Sequence, residues 1–95
     1  MEIQASGSTV TINGNIKSIS DFQEIKSTLD KVVAENSSIV LKIEDSISIT
    51  SSVIGYFNKL ILKDNIKIDM QIGNDDLISL LDDLSLSEVF NVRKK

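Results

Sequence analysis

Ninety-five residues make one domain, and an apolar share of 41%, mostly Ile, Leu and Val, is enough to pack a core without disulfides or metals and argues against disorder. The chain has no Cys and no His, which excludes disulfides, thiolate nucleophiles, imidazole acid–base chemistry and the usual zinc sites. Its formal charge is −4, and between Lys67 and Arg93 no base offsets Asp69, Asp75, Asp76, Asp82, Asp83 and Glu88, so phosphate backbones are repelled and nucleic acid is not expected as a partner.

The amino-terminal MEIQASGSTV has neither a basic n-region nor an apolar h-region, so no signal peptide is expected. No apolar run is long enough to span a bilayer. A cytoplasmic protein without membrane insertion is the expectation. There is no Pro, no linker-like stretch and no internal repeat, so residues 1–95 are read as a single domain.

Two short alternating runs open the chain. Ile3 and Ala5 share one face, Val10 and Ile12 another, and Ser6-Gly7-Ser8 between them reads as a hairpin turn. Asn13-Gly14 ends the second strand, and the period then becomes helical. Phe22, Ile25, Leu29, Val32 and Val33 predict a first helix ending near Asn36, with Ser20 as N-cap and Gln23 closing a capping box. Asp21 and Glu24 suit its positive end. Ile39-Val40-Leu41-Lys42-Ile43 reads as a central strand buried on both faces.

A second helix is expected from about Ser51 to Lys63, with Val53, Ile54, Phe57, Leu60 and Ile61 on its apolar side. Ile66, Ile68, Met70 and Ile72 alternate with Lys67, Asp69 and Gln71, which predicts a strand with one wet face. Strand, helix and strand in this order form a βαβ unit with parallel strands and a right-handed crossover. A third helix, capped by Asn74 or Asp75, carries Leu77, Leu80, Leu81 and Leu84 as its stripe. Ser85 and Glu88 read as a second capping box before a last helical turn through Val89-Phe90, and Val92 as a residue pairing at the sheet edge. The fold class is therefore α/β: a mixed, mostly parallel sheet of four or five strands with three or four helices largely on one face.

Little in the chain suits catalysis. Gly7, Gly14, Gly55 and Gly73 are isolated, so there is no phosphate-binding glycine loop, and no Ser-His pair exists. Asp75/Asp82 and Asp76/Asp83 lie two helical turns apart, too far to share one ion easily, and read as a solvated face. Catalytic residues, metal and cofactor are each expected to be none. The informative segment is Ile47-Ser48-Ile49-Thr50-Ser51-Ser52-Val53-Ile54-Gly55, which joins the central strand to the second helix and places three hydroxyls, Thr50, Ser51 and Ser52, at the helix start. One of them caps the helix and the others decorate the loop, or one is a phosphoacceptor at a helix end that favours anions.

Thr50-Ser51-Ser52-Val53-Ile54-Gly55, with the element order, resembles the STAS family typified by anti-sigma factor antagonists, which commonly carries Asp-Ser-Ser-Gly-Leu-Gly at this joint. Both serines, the aliphatic residue and the last glycine match; Thr50 stands for Asp and Val53 for Gly. Gly14-Asn15-Ile16-Lys17 is similar to a second family stretch, departing at Lys17, where Asp is usual. Leu77 to Leu81, then Leu84-Ser85-Leu86 and Val89-Phe90, follow a third. The likeness runs from Thr9 to Val92.

The resemblance implies a STAS-like fold and a regulatory protein-docking module of a partner-switching pathway. Its partner would be an anti-sigma factor or similar serine-kinase regulator, and ATP would belong to that kinase. It implies phosphorylation at Ser51, with Ser52 and Thr50 as alternative acceptors. Contacts are expected at Asn15, Ile16, Lys17, Thr50, Ser51, Ser52, Val53, Ile54 and Asn58. The alternative is a constitutive STAS subunit of a larger complex, such as the cytoplasmic partner of a membrane transport ATPase. The chain itself is expected to be a monomer or weak dimer.

Overall fold

In the computed structural model, which describes residues 1–95, the first alternating runs become β1 (Glu2–Ser6) and β2 (Thr9–Asn13), joined by Gly7-Ser8. Gly7 has φ +60°, a left-handed conformation that glycine adopts without a Cβ clash. The antiparallel register opposes Ile3 to Ile12 and Ala5 to Val10, so the two pairs lie on the same side of the sheet. Next come α1 (Ile19–Val33), β3 (Ser38–Ile43), α2 (Ser51–Leu62), β4 (Lys67–Ile72), α3 (Asp75–Asp83) and β5 (Val92–Lys94).

The five strands lie in chain order, β1-β2-β3-β4-β5, and every pair after the first is parallel. Register then dictates burial. Val10 stands beside Leu41 and Leu41 beside Met70; Ile12 stands beside Ile43 and Ile43 beside Ile72. With Ile39 and Ile68, these residues are buried on one face and join one core cluster with the inward side chains of all three helices. Helices therefore cover a single face. Val92 pairs with Met70, so the short last strand does close the edge.

β3 is not buried on both faces as its composition suggests. Ile39, Leu41 and Ile43 are buried, whereas Val40 and Lys42 are half-exposed on the side that no helix covers. The strands flanking Val40 place Thr9 and Asp69 beside it, so one apolar residue in a polar row attracts no second layer.

Helix boundaries also differ from the pattern. α1 is capped by Ser18, whose Oγ accepts from the Asp21 N–H at 3.1 Å, while the Asp21 carboxylate accepts from the Ser18 N–H at 3.3 Å. The box is Ser18/Asp21 and not Ser20/Gln23, because Ile16 is anchored in the core with no exposed surface and the chain turns helical directly after it. The helix ends at Val33, short of Asn36, whose side-chain amide donates to the Val32 carbonyl at 2.9 Å. α2 buries Val53, Tyr56, Phe57 and Leu60, with Ile54 and Ile61 half-buried at its margin.

α3 is capped by Asn74, whose Oδ1 accepts from the N–H groups of Asp76 and Leu77. It buries only Leu77 and Leu81; Leu80 and Leu84 are 37% and 49% exposed, because a nine-residue helix meets the sheet along one narrow line. Ser85 starts no helix. It sits at φ +60° just past α3, its N–H donating to the Asp82 carbonyl and the Leu86 N–H to the Leu81 carbonyl. That is the Schellman stop, with serine where glycine is usual. Residues 87–91 are turns that carry Phe90 into the core edge-to-face against Phe57, at a centroid distance of 5.9 Å.

Gly73 is fixed by space. A Cβ there would lie 2.0 Å from the Glu44 carbonyl oxygen, where the end of β4 crosses the end of β3. Gly73→Ala is expected to cost about 2–3 kcal/mol by overpacking against rigid backbone. Ser85→Gly is expected to gain about 1 kcal/mol by relieving the left-handed serine. Urea denaturation midpoints of the two variants check both signs.

Candidate functional site

In parallel α/β sheets the strand-to-helix joints gather at the carboxyl ends of the strands. Here the β2–α1 and β3–α2 joints are neighbours and are tied together. The Gly14 N–H donates to Asp45 Oδ1 at 2.6 Å, and the Ile47 N–H to Asn15 Oδ1 at 3.0 Å. Ser46, the one fully buried polar side chain, donates its hydroxyl to the Gly14 carbonyl, and the Ser48 hydroxyl reaches the Ile16 carbonyl at 3.5 Å. Gly14 takes φ +87°, with the Met1 backbone 3.1 Å from where a Cβ would stand. The two loops thus form one ordered ridge.

The anticipated site residues are divided among this ridge, the core beneath it and the body of α2. Thr50 is the N-cap of α2: its Oγ1 accepts from the Val53 N–H at 3.3 Å, and its half-buried side chain already has that duty. Ser51 and Ser52 occupy the first helical positions and are exposed. Their N–H groups belong to the first turn, which has no intrahelical acceptors. Ile16 and Val53, expected among the contact residues, have no exposed surface. They are apolar side chains pointing inward from the loop and from the first turn of α2, and they fix the ridge from beneath. Asn15 is half-buried and holds the neighbouring loop through Oδ1. Lys17 is exposed, and Ile54 and Asn58 are half-buried on α2.

A shallow cleft of about 130 Å3 lies between the starts of α1 and α2, lined by Lys17, Ser18, Ile19, Phe22, Thr50 and Ser52. It is smaller than the roughly 300–1,000 Å3 of sites that enclose a small-molecule ligand. Two large apolar side chains lie open on the same joints, Ile19 at 77% and Ile47 at 54% exposure. The sequence singles out this joint from Ile47 onward but misses Ile19, Asp45 and Ser46. Ile19 sits one turn ahead of the apolar stripe of α1, and the bonds of Asp45 and Ser46 join residues more than thirty positions apart, which no local pattern encodes.

The helix starts differ electrostatically. α1 has Asp21 in its first turn and α3 has Asp75 and Asp76, whereas α2 has no acid there. The Asp21 carboxyl is held below its ordinary value, chiefly by the Lys17 N–H and then by the Ser18 N–H and hydroxyl. Asp75 pairs with Lys94 at 2.8 Å and Asp82 accepts from the Ser87 hydroxyl at 3.3 Å, so two of the four acidic residues of α3 are engaged, each by a different partner.

Behind the joints, Tyr56 locks α2 to α1. Its hydroxyl donates to Asp30 Oδ1 at 2.6 Å, Phe22 packs on its ring edge-to-face at 6.3 Å, and Lys26 bonds Asp30 at 2.9 Å. The Tyr56 hydroxyl is pushed far above its ordinary value by burial and by the Asp30 carboxylate. Asp30 is held below its own ordinary value, first by the Tyr56 hydroxyl and then by Lys26.

Asp30 stabilises the fold fully above about pH 4, and that contribution fades as pH falls through its depressed folded value. Tyr56 acts at the other limb: stability declines above about pH 10, where the unfolded phenol ionises and the folded one resists. Tyr56→Phe is expected to cost about 1–2 kcal/mol at neutral pH and to flatten both limbs. Thr50→Ala is expected to cost about 1 kcal/mol and Ser51→Ala less than about 0.5 kcal/mol, since only Thr50 caps. Urea midpoints across pH for the three variants and the parent chain check these values.

Comparison of the chain with protein-family models, with curated proteins and with solved structures finds no match.

Proposed function

We propose that this chain is a STAS-like protein-docking module that acts by binding a regulatory kinase of the anti-sigma type, with phosphorylation at Ser51 releasing the complex. The observation that carries this reading is the exposure of Ser51 and Ser52 at the start of α2, on an ordered ridge and beside open apolar side chains at Ile19 and Ile47. Thr50 is the weakest acceptor of the three, because its hydroxyl is engaged as the cap.

Electrostatics favour a switch at this position. α2 lacks the first-turn acid that α1 and α3 have, so a phosphate on Ser51 meets a positive helix end that nothing else neutralises. The modification adds about 1.5 to 2 negative charges to a surface that a partner must desolvate. Stabilisation by the helix end is about 0.3–1 kcal/mol, whereas an uncompensated phosphate in an interface costs several kcal/mol, so exclusion of the partner decides the outcome.

One departure from the family motif becomes tolerable in this setting. Val53 turns its branched side chain into the core and leaves the surface clear. Gly55, which matches the motif, has open space where a Cβ would be, so the fold itself does not require glycine there. A bare stretch of helix beside Ser52 suits close approach by a partner's backbone. Catalysis by the chain is not part of the proposal: it has no His or Cys, and its cleft is shallow.

The test is intact-mass analysis of the protein from its own cell, with binding measured on the partner it co-purifies with. The expected species is heavier by one phosphate, mapped to Ser51, with Ser51→Asp weakening binding about tenfold or more and Ser51→Ala retaining it. Absence of the modification, with equal binding by both variants, contradicts switching and leaves a constitutive scaffold. Gly55→Ala gives a separate check: it is expected to raise the stability of the isolated chain by about 0.5–1 kcal/mol while weakening the complex.

A further inference from the structure

The two edges of the sheet are not equivalent. On β2, the Ser8 and Ile12 carbonyls accept from the N–H groups of Val40 and Glu44 at 2.9 and 3.0 Å. Backbone direction alternates along a strand, so the even-numbered residues there face β3 while Thr9, Thr11 and Asn13 face β1. The register sets these three opposite Ser6, Gln4 and Glu2. Ile3 and Ala5 therefore turn their N–H and C=O groups to the free edge, where no turn, loop or cap bond of the chain meets them.

Of the usual blocks to strand addition that edge has only one charge, Glu2 at its end. It contains no Pro and no Lys, and its pairing with β2 runs without a bulge from Glu2 to Ser6. At the opposite edge, β5 is only three residues long, its Val92 N–H donates to the Ser87 carbonyl at 2.8 Å, and Arg93, Lys94 and Lys95 place three positive charges in a row. Pairing is obstructed there and open at β1.

We infer that β1 pairs antiparallel with β1 of a second copy of this chain, about a two-fold axis at Gln4. In this register Gln4 faces Gln4, Ile3 faces Ala5 and Glu2 faces Ser6. Ile3 and Ala5 are the residues with outward backbone groups, so each Ile3–Ala5 pair exchanges both of its hydrogen bonds. The strand's one charge, Glu2, meets an uncharged serine, so two acidic chains come together without a like-charge pair at the contact. On the helix side the half-buried Ile3 gains the methyl of Ala5. A single strand pair buries less than about 1,000 Å2, which places the dimer among weak complexes with a dissociation constant on the order of 0.1 mM.

Sedimentation equilibrium and amide hydrogen exchange on the full chain, from about 10 μM to about 1 mM, test this pairing. The expected result is a monomer at the low end and a dimer at the high end. Ile3 and Ala5 amides gain about fourfold protection across that range, while the Gln4 amide, bonded within the hairpin, stays protected throughout. Ala5→Pro deletes an outward N–H that β2 does not use, and Ala5→Lys blocks the edge without altering the backbone. Both are expected to abolish the dimer and keep the Gln4 protection. A chain that is monomeric at about 1 mM, a dimer that survives both variants, or exchange at Ile3 and Ala5 that ignores concentration overturns the inference.

Discussion

The parallel registration of β2, β3 and β4 is the constraint that governs the molecule. Setting Val10, Leu41 and Met70 side by side, with Ile12, Ile43 and Ile72 in the next row, builds one continuous apolar face. Each parallel step requires a crossover, and every crossover helix must cover that face because no other is apolar. The strand-to-helix joints then emerge together at one end of the sheet. The position of the candidate site follows from this topology, and its hydroxyls appear where the chain leaves β3 for α2.

Order at that end comes from hydrogen bonds between the two joints. Asp45, Ser46, Ile47 and Ser48 bond to Gly14, Asn15 and Ile16 through a mixture of backbone and side-chain groups, and Ile16 and Val53 anchor the same segments in the core. Rigidity beneath a polar, exposed surface is what a docking site needs, since little conformational entropy is then lost on binding. The Tyr56–Asp30 bond extends this rigidity by tying the middle of α2 to the last turn of α1, while Phe22, near the start of α1, packs on the tyrosine ring. Ile19 and Ile47 are the open apolar side chains of this surface, and Ser51 and Ser52 its exposed hydroxyls.

Period carries most of the architecture from sequence alone. The alternation of β4, the stripe of α1 and the hairpin glycine act through nearest neighbours, and each recurs in the structure. Failures cluster where distant residues decide. Ser18 and Ser20 both begin a plausible capping box by spacing, and burial of Ile16 selects Ser18. Val40 reads as core within its own strand, yet Thr9 and Asp69 beside it leave that face wet. Ser85 carries the Ser-x-x-Glu pattern of a helix start but is used as a helix stop, because its preceding turn closes onto Leu81. The site was legible as a hydroxyl cluster at a joint. Its supporting bonds, which link positions more than thirty residues apart, were not.

Site-specific photo-crosslinking in the native cell tests most directly that the joint ridge is the docking surface. A photoreactive residue placed at Ser52 is compared with one placed at Lys42, on the uncovered face of the sheet. The account predicts one discrete crosslinked protein from Ser52, lost when Ser51 carries a negative charge, and none from Lys42. Crosslinks to that protein from Lys42 and not from Ser52 would contradict it.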